Sequence, residues 1–500
     1  MRPLITTAVA VQSLFMILAP MSARAQAVYV PGEMIVRMRS DAKTSHTSLI
    51  NRLHKSQALH LKAHFTRLNM AHFALPEGKD VLQAVKDVKS DPDVLYAEPN
   101  YIVHKADAAI GDRYPYNEPA GAGIDLAALW TSSLSVSRRP IVAVIDSGLD
   151  ITHPVIKGTG ALWTNPNEIP DNKIDDDGNG YVDDVHGWNF VAGTGQMSDD
   201  DGHGTHVCGI VLSADQNIFA TTLRAAKIQI MPLKFLDGAG SGSIADAIRA
   251  IDYAIANGAS VLNSSWAGPS YSVALQEAIS ASYNSGAIFV AAAGNDSLND
   301  DSNPFYPASF DVPNVLTVAA TTSTDTLASF SNYGASTVHI GSPGVSIPSL
   351  WPGGGFMLMS GTSMATPFVA GVAAQMKAVA PQMLGYQIKS ILMSQSDAAP
   401  ALQGKLVEAG RLNAAHAVSF AATAPIETSQ PAYQMQMGRD PASSPMTAGA
   451  GGCNLIKGAS NGMGASNMWV ILVLIALQLT GFLFLRVRAV VLSRKSHPKP

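Results

Sequence analysis

Residues 360–367 read Ser-Gly-Thr-Ser-Met-Ala-Thr-Pro and lead directly into an apolar run that ends at Met376. Small and apolar residues predict a buried helix that opens at Ser363, with Pro367 in its first turn, where a missing N–H does no harm. A serine at a helix start can turn its hydroxyl toward a cleft, and the free N–H groups beside it can stabilise an oxyanion. Because a serine hydroxyl is a weak nucleophile alone, the stretch predicts a base and an orienting acid elsewhere in the chain.

A candidate acid stands at the end of a predicted strand. Residues 141–145, Ile-Val-Ala-Val-Ile, are typical of a buried parallel strand, and Asp146 follows them. The carboxyl edge of a parallel sheet is where such sheets bind ligands. Further predicted strands at 229–233, 260–263, 287–291 and 315–318 alternate with amphipathic helices at 243–257 and 272–285. This alternation predicts an α/β fold with a doubly wound parallel sheet.

A candidate base lies in residues 201–207, Asp-Gly-His-Gly-Thr-His-Val, where His203 stands between glycines at the start of a predicted helix. His203 and His206 are also spaced so that they could hold a metal, but no Glu follows in an H-E-x-x-H frame. We therefore expect His203 to be exposed to a cleft and His206 to be packed within the helix.

A candidate oxyanion donor ends the run at 291–295, Ala-Ala-Ala-Gly-Asn. The small residues let a ligand approach the predicted strand closely, and the side-chain amide of Asn295 can donate to a developing oxyanion. A simple asparagine turn is the alternative interpretation.

These motifs together resemble those of the subtilisin-like serine proteases, the subtilases. The matching elements are Val-Ile-Asp-Ser-Gly at 144–148, His-Gly-Thr-His at 203–206, Ala-Ala-Gly-Asn at 292–295 and Gly-Thr-Ser-Met-Ala-Thr-Pro at 361–367. Their chain order of Asp, His, Asn and Ser distinguishes subtilases from other serine hydrolases. The resemblance implies that Ser363 is the nucleophile, His203 the general base and Asp146 its orienting carboxylate. Asn295 and the Ser363 N–H would form the oxyanion hole.

The resemblance also implies the segments that bind substrate. Two edge strands would clamp an extended peptide by backbone pairing, and a third segment would form the floor of the primary pocket. The residues are Gly240, Ser241, Gly242, Ser265, Trp266, Ala267, Ala292, Ala293 and Gly294. Ala267 stands where the family usually has glycine, which would narrow the groove. A cis peptide bond at Tyr306–Pro307 is likewise implied.

Residues 175–184 are dense in oxygen ligands. With Asp175 as position 1 of an EF-hand-type loop, the later ligand positions fall on Asp177, Asn179, the Tyr181 carbonyl and Asp183, but His186 replaces the final glutamate. This pattern predicts a structural Ca²⁺ site, and a solvated acidic turn is the alternative. A second acidic run at 199–201 is either solvated or favours basic substrates.

The N-terminal region predicts export and a pro-segment. Residues 1–25 combine Arg2, an apolar run and Ala-Arg-Ala at 23–25, which is typical of a signal peptide. A buried helix or an uncleaved anchor is the alternative. Residues 26–105 predict a small α+β unit with strands at 33–39 and 94–96 and helices at 49–59 and 81–88. Ahead of a hydrolase, we interpret it as a pro-segment that occupies the active site and aids folding, with an accessory domain as the alternative.

The peptidase domain is predicted at 106–420, and the Gly- and Pro-containing residues 106–138 should contain the boundary with the pro-segment. After it, residues 421–467 have the composition of a flexible linker. The apolar run 468–485 is long enough for one transmembrane helix, and the basic residues at 486–500 would place the tail in the cytoplasm. Cys453 before that run also resembles the anchoring point of bacterial sorting tails that are processed after export. A permanent membrane anchor is the alternative.

Composition agrees with this organisation. Charged residues make up 14% of the chain, fewer than in typical soluble domains, which suits an extracytoplasmic protein. A net charge of −5 gives no sign of a nucleic-acid partner, and two distant cysteines imply no disulfide framework.

The expected function is therefore an exported, membrane-tethered serine endopeptidase that is made as a zymogen. It would hydrolyse protein or peptide substrates through an acyl-enzyme, and its own pro-segment would be a partner. Two other interpretations stay open. One is a catalytically idle surface binding module, against which the complete set of catalytic residues argues. The other is a processing protease dedicated to one partner.

Overall fold

The computed structural model describes residues 28–42, 44–106, 123–132, 136 and 138–435. The strands in these residues are β1 (Tyr29–Met38), β2 (His60–Phe65), β3 (Met70–Ala74), β4 (Val94–Lys105), β5 (Ile141–Asp146), β6 (Trp188–Asn189), β7 (Gln229–Lys234), β8 (Ser241–Ser243), β9 (Val261–Ser264), β10 (Trp266–Ala267), β11 (Ile288–Ala292), β12 (Val315–Thr321), β13 (Ile340–Pro343), β14 (Ile347–Trp351), β15 (Gly355–Met359), β16 (Asp397–Ala398) and β17 (Gly410–Arg411). The α-helices are α1 (His46–Gln57), α2 (Val81–Val88), α3 (Leu126–Thr131), α4 (Pro154–Thr159), α5 (His203–Ser213), α6 (Ile244–Ala256), α7 (Val273–Asn284), α8 (Thr362–Val379), α9 (Gly385–Ser394) and α10 (Ala414–Ala421).

The central sheet runs in the order β6-β7-β5-β9-β11-β12-β13-β17-β16, and its neighbouring strands are parallel except for the edge pair β17 and β16. Alternate side chains of β5 enter two different cores. Val142 and Val144 pack with residues of α5 and α8, whereas Ala143 and Ile145 pack with residues of α6 and α7. Helices therefore cover both faces, and the predicted doubly wound parallel sheet is confirmed.

The N-terminal unit is an antiparallel sheet in the order β2-β3-β1-β4, with α1 and α2 on one face. Met34 and Phe73 from the sheet pack with Leu49 and Val85 from the helices. Ser45 and Asp80 cap the two helices, since each side chain accepts from the backbone N–H three residues later. The predicted α+β unit is confirmed, but its last strand extends to Lys105 instead of ending at Tyr96.

The extra length of β4 has a clear cause in its strand partners. Its first part pairs with β1, and residues 102–105 pair antiparallel with β8 and β10 of the peptidase domain. The backbone of residues 102–105 is therefore held on both sides, although those partners lie more than a hundred residues later in the sequence.

Helix α8 differs from the prediction at one residue. It begins at Thr362, so Pro367 lies in the second turn and not the first. The carbonyl of Ser363 would normally accept from the N–H of residue 367, which proline lacks. The Ser265 hydroxyl donates to that carbonyl instead, at 3.0 Å. The carbonyl of Ser363, which Pro367 leaves without a helical donor, thus links the candidate nucleophile to the segment that contains Ser265.

Several predicted segments lie outside the described residues: the signal peptide at 1–25, the transmembrane run at 468–485, the basic tail at 486–500 and Cys453. In the part of the chain that is described, no helix combines the length and the apolar character that a membrane span requires. The first residues of the predicted linker lie against the peptidase domain. The Tyr433 hydroxyl donates to the Asp311 carbonyl at 2.8 Å, and the Tyr283 hydroxyl donates to the Pro431 carbonyl at 2.7 Å.

Candidate active site

The predicted acid and base meet at the carboxyl edge of the central sheet. Asp146 is the last residue of β5, and His203 is the first residue of α5. The His203 Nδ1 lies 2.7 Å from Asp146 Oδ1, and both side chains are fully buried. The Ser147 N–H also donates to Asp146 Oδ1, at 2.7 Å. This contact fixes the orientation of the His203 ring, as the carboxylate of a catalytic triad does.

A second aspartate, which sequence reasoning left as solvated or substrate-binding, fixes the start of α5. Asp199 accepts from the N–H groups of Gly202 at 2.8 Å and Thr205 at 2.7 Å, and from the Ser147 hydroxyl at 2.8 Å. Burial would raise the pKa of Asp199, but hydrogen bonds from Thr205, Gly202 and Ser147 outweigh it and lower the pKa. Asp199 is therefore a positioning residue for the segment that carries His203. Its place just before a helix start is the sequence signal for this role.

Ser363 faces a carbonyl group of the N-terminal unit. Its backbone N–H donates to the carbonyl oxygen of Ala106 at 3.4 Å, and its hydroxyl also lies within hydrogen-bonding distance of that oxygen. The hydroxyl is 2.9 Å from the Ser265 carbonyl as well. Ala106 directly follows β4, so the end of this strand delivers a peptide carbonyl to the candidate nucleophile.

Asn295 is oriented by Thr362, a residue that the sequence analysis did not single out. The Asn295 Oδ1 accepts from the Thr362 N–H at 2.9 Å and from the Thr362 hydroxyl at 3.0 Å. Its amide nitrogen is buried and makes no hydrogen bond within the described ranges. A buried donor without a partner is costly in a resting protein. Such a donor suits an oxyanion that forms only during a reaction.

The two predicted clamp segments lie on either side of β4. Val103 pairs with Gly242 and His104 with Ser241 on one side, while Lys105 pairs with Trp266 on the other. Two backbone hydrogen bonds add to this pairing. The Lys105 N–H donates to the Gly240 carbonyl at 2.9 Å, and the Ala106 N–H donates to the Ser265 carbonyl at 3.2 Å. Ala267 pairs with His104. The groove thus holds an extended peptide, and that peptide is part of the same chain.

The predicted pocket floor lies beside the nucleophile. Ala292 ends β11, and Ala292 and Ala293 are fully buried. Gly294 has a φ of +116°, and a Cβ there would lie 2.6 Å from Asn332 Nδ2. Its N–H donates to the Thr362 hydroxyl at 3.2 Å. Backbone conformation and space therefore both require glycine at 294.

The two histidines of α5 have different environments, but neither is exposed. His206 Nε2 lies 3.0 Å from the carbonyl oxygens of Ile347 and Met357, which agrees with a packed role. The expected exposure of His203 is wrong in this structure, since its side chain is buried with the pro-segment strand in the groove. A shared metal site is not supported, because His203 contacts Asp146 and His206 contacts backbone carbonyls.

Two side chains of β4 anchor it to helices of the peptidase domain. The buried carboxylate of Glu98 accepts from the N–H groups of Val273 at 3.0 Å and Ala274 at 3.3 Å, at the start of α7. Burial raises the pKa of Glu98 to about 7. Asn100 Oδ1 accepts from the Ala245 N–H at 2.9 Å, at the start of α6. Sequence reasoning missed both residues, because their partners are helix termini far along the chain.

An acidic cluster lies outside the groove. Carboxylate oxygens of Glu168, Asp175 and Asp177 lie within 4.8 Å of one another. Glu168 Oε2 is buried and makes no hydrogen bond to another described residue. Burial raises the pKa of Glu168, and the charges of Asp184 and Asp177 raise it further. Hard oxygen ligands, crowded negative charge and a buried carboxylate oxygen without a partner all fit a Ca²⁺ ion.

The cluster differs from the predicted ligand set. Asp175 and Asp177 belong to it, but the Asp183 carboxylate instead accepts from the N–H groups of Asn172 at 3.1 Å and Lys173 at 3.0 Å. Asn179 uses its Oδ1 to accept from the Tyr181 N–H at 2.7 Å. Asp183 has a φ of +53°, which turns its side chain toward the preceding turn. Glu168, from outside the counted loop, supplies the third carboxylate.

Comparison with known proteins identifies two regions. Residues 137–417 match the sequence profile of the subtilase family, and residues 17–100 match that of the fervidolysin N-terminal prodomain.

The Tyr306–Pro307 peptide bond is cis, as the resemblance implied.

Individual relatives agree with these matches. The chain is 32% identical over 399 residues to the thermophilic serine proteinase of Bacillus sp. (strain AK1), with 78% of this chain and 88% of that protein covered. It is 33% identical over 331 residues to subtilisin E of Bacillus subtilis (strain 168), with coverage of 66% and 76%.

Among solved structures, fervidolysin from Fervidobacterium pennivorans, described as a keratinolytic enzyme related to subtilisin, superposes with a TM-score of 0.62 at 23% identity. The match covers 80% of this chain and 62% of the fervidolysin chain, and it shows a shared fold.

Proposed function

The chain belongs to the subtilase family of serine peptidases and carries an N-terminal prodomain, and from this premise we propose how it acts and matures. The proposal is that Ser363, His203 and Asp146 hydrolyse peptide bonds through an acyl-enzyme, and that the first bond cut is the one after Ala106 of the same chain. The observation that carries it is the Ala106 carbonyl oxygen, which accepts from the Ser363 N–H at 3.4 Å while the Ser363 hydroxyl faces it.

The reaction follows from this contact. The Ser363 Oγ attacks the Ala106 carbonyl carbon and passes its proton to His203 Nε2, while Asp146 holds the protonated ring through Nδ1. The negative charge on the carbonyl oxygen is stabilised by the Ser363 N–H and the Asn295 amide. His203 then protonates the nitrogen of residue 107, which leaves as the new N-terminus. Water, deprotonated by His203, releases the acyl group from Ser363.

The same contacts explain why the uncut chain is a zymogen. Residues 102–106 fill the groove that a substrate strand needs, and backbone pairing of this kind is how an extended peptide adds to a sheet edge. Glu98 and Asn100 hold the strand to the starts of α7 and α6. These anchors do not depend on the bond after Ala106, so the pro-segment remains bound after that bond is cut.

We also propose that the acidic cluster binds calcium. Glu168, Asp175 and Asp177 would hold a Ca²⁺ ion, and the ion would supply the positive charge that stabilises this crowded acidic loop.

The proposed location is outside the cytoplasm, because the residue pattern at 1–25 supports export. The apolar run at 468–485 with the basic tail supports a membrane tether, which would be retained or released by tail processing.

The test compares the full chain with its Ser363→Ala variant on an unstructured protein substrate. A Ser285→Ala variant is the matched control, since Ser285 is exposed at the end of α7. We expect the wild type and the control to degrade the substrate, and the Ser363→Ala variant to be slower by about 10⁶-fold, the scale of losing the nucleophile in this class of site. Equal inactivity of all three proteins would instead favour the surface binding module. Cleavage of one sequence only would favour a dedicated processing protease.

A further inference from the structure

Three consecutive aspartates, at 199–201, precede α5, and each has a different partner. Asp199 accepts from N–H groups of its own loop, as described above. Asp200 pairs with Lys234 of the peptidase domain, at 2.6 Å. Asp201 pairs with Lys105 of β4, whose Nζ lies 2.8 Å from both carboxylate oxygens. Asp201 is thus the member of the run whose cation belongs to the pro-segment.

The carboxylate of Asp201 is poorly hydrated, with only 7% of its side chain exposed. It accepts from the His203 N–H at 3.2 Å, which orients it beside the catalytic histidine. Among the described residues, Lys105 is the cation within ion-pair distance of it. When the pro-segment leaves, a nearly buried negative charge is exposed to whatever side chain next enters the groove.

The stem of Lys105 has its own space in the groove wall. A Cβ at Gly240 would lie 2.6 Å from the Lys105 Cδ and 2.7 Å from its Cε. Gly240 also has a φ of +71°, a conformation that side chains other than glycine rarely adopt. The missing side chain at 240 therefore leaves room for a long, unbranched chain that ends at the Asp201 carboxylate.

Lys105 directly precedes Ala106, the residue whose carbonyl faces Ser363. We propose that Asp201 and Gly240 form a subsite for a lysine or arginine side chain at the residue before the one whose carbonyl is attacked. The peptidase would thus select substrates with a basic residue at that position. This inference rests on the proposed function, since it takes Ala106 as the residue that acylates Ser363.

The chemistry of the subsite gives the direction and scale of the preference. A lysine or arginine makes a charge-assisted hydrogen bond with Asp201, and arginine can do so with two N–H groups. A neutral side chain of the same length fills the space beside Gly240 but leaves the carboxylate unpaired, and an acidic one repels it. We expect kcat/KM to be at least about 10-fold higher for lysine than for an uncharged equivalent, from the usual strength of a hydrogen bond to a charged group.

The test uses peptide anilides with the sequence of residues 103–106, in which the lysine is kept or replaced by arginine, norleucine or glutamate. Norleucine keeps the stem and removes the charge. The enzymes are the processed wild type, Asp201→Asn, and Asp171→Asn as the control with the same change in charge. Asp171 is exposed and has a φ of +62°, which asparagine tolerates well. The measured quantity is the lysine-to-norleucine ratio of kcat/KM within each enzyme. A ratio cancels any damage that the loss of Asp201 does to His203.

The wild type and the Asp171→Asn variant should show the ratio of at least about 10, and Asp201→Asn should bring it close to one. Cleavage of all peptides at similar rates by the wild type would overturn the subsite and leave the peptidase function standing. A ratio that survives in Asp201→Asn would overturn the assignment of Asp201. If the wild type and Ser363→Ala are equally inactive on every peptide, the proposed function itself fails, and the subsite fails with it.

Discussion

The two sheets of this protein are built differently and serve the site differently. The central sheet is parallel, is covered by helices on both faces and presents Asp146 and the pocket residues at its carboxyl edge. The pro-segment sheet is antiparallel, has its own helices α1 and α2 on one face only and ends in a strand that lies in the groove of the other domain. One sheet positions the candidate reacting groups, and the other supplies the peptide that they face.

The two sheets therefore give different information about the site. The parallel sheet and its helices α5 and α8 place Ser363, His203, Asp146 and Asn295, but these residues do not indicate which side chains a substrate carries. On the proposed function, the pro-segment strand occupies the place of a substrate, and its side chains would show which substrate side chains the groove prefers. The proposed specificity therefore rests on contacts of the antiparallel sheet, whereas the proposed chemistry rests on residues that the parallel sheet and its helices hold. Substitutions in the two regions should have separable effects.

The largest separable effect belongs to the parallel sheet. Replacing Asn295 with alanine removes one oxyanion donor and should lower kcat by about 10²–10³-fold with little change in KM, because the donor acts on charge that develops in the transition state. Steady-state kinetics on an anilide peptide measure this. Asn303→Ala, an exposed asparagine in the loop after Asn295, is the control. An equal loss in both variants would show a general loss of structure and would contradict the assigned role.

The acidic cluster should give the next effect, on stability. Ca²⁺ at about 100 times its dissociation constant should stabilise the folded protein by about 3 kcal/mol, seen as a higher thermal midpoint that a chelator reverses. Asp177→Asn should abolish the response. Asp183→Asn should keep it, since the Asp183 carboxylate contacts the N–H groups of Asn172 and Lys173. If Asp177→Asn kept the response and Asp183→Asn abolished it, the ligand set predicted from the loop spacing would be favoured instead.

A smaller effect belongs to the antiparallel sheet. Glu98→Ala removes the carboxylate that accepts from the N–H groups of Val273 and Ala274. We expect the pro-segment to bind the processed peptidase about 10-fold more weakly, from the loss of these two hydrogen bonds, with kcat of the free peptidase unchanged. Inhibition by the cleaved pro-segment measures this, and the exposed Glu77→Ala is the control. Equal inhibition by the Glu98 and Glu77 variants would contradict the anchor.

The same contact should also make binding depend on pH. Burial raises the pKa of Glu98 to about 7 in the bound pro-segment, above the ordinary value of 4.5. The bound form therefore holds a proton that the free form has lost. Binding should be strongest at acidic pH and should weaken as the pH rises through about 7. Glu98→Gln should flatten this slope in a series of inhibition constants, whereas an unchanged slope would assign the titration to another group.

The parallel sheet could be predicted from the sequence for physical reasons, and the candidate catalytic residues could be located for the same reasons. Buried parallel strands are continuous apolar runs, and the reacting residues stand directly after them or at helix starts in short, local motifs. Asp146 and Asn295 both follow such runs. The strands β5, β7, β9, β11 and β12 and the helices α6 and α7 differ from the predicted ones by only one to three residues at their ends.

The features that could not be predicted from the sequence depend on contacts between distant parts of the chain. The extension of β4 to Lys105 needs β8 and β10, which no local pattern near residue 100 can show. Glu168 joins the acidic cluster because the loop folds back on it, and spacing counted along the loop could not include it. Pro367 in the second turn leaves the Ser363 carbonyl without its helical donor, and the hydroxyl that donates to it belongs to Ser265, nearly a hundred residues earlier.

The most direct test of the account is the identity of the first bond cut. Intact-mass measurement and N-terminal sequencing of the processed full chain, beside its Ser363→Ala variant, determine that bond. The account predicts a pro-segment that ends at Ala106 and a mature chain that begins at Asp107, with the variant left uncut. A mature chain that begins at another residue would contradict the assignment of Ala106, and the same fragment from Ser363→Ala would contradict self-cleavage.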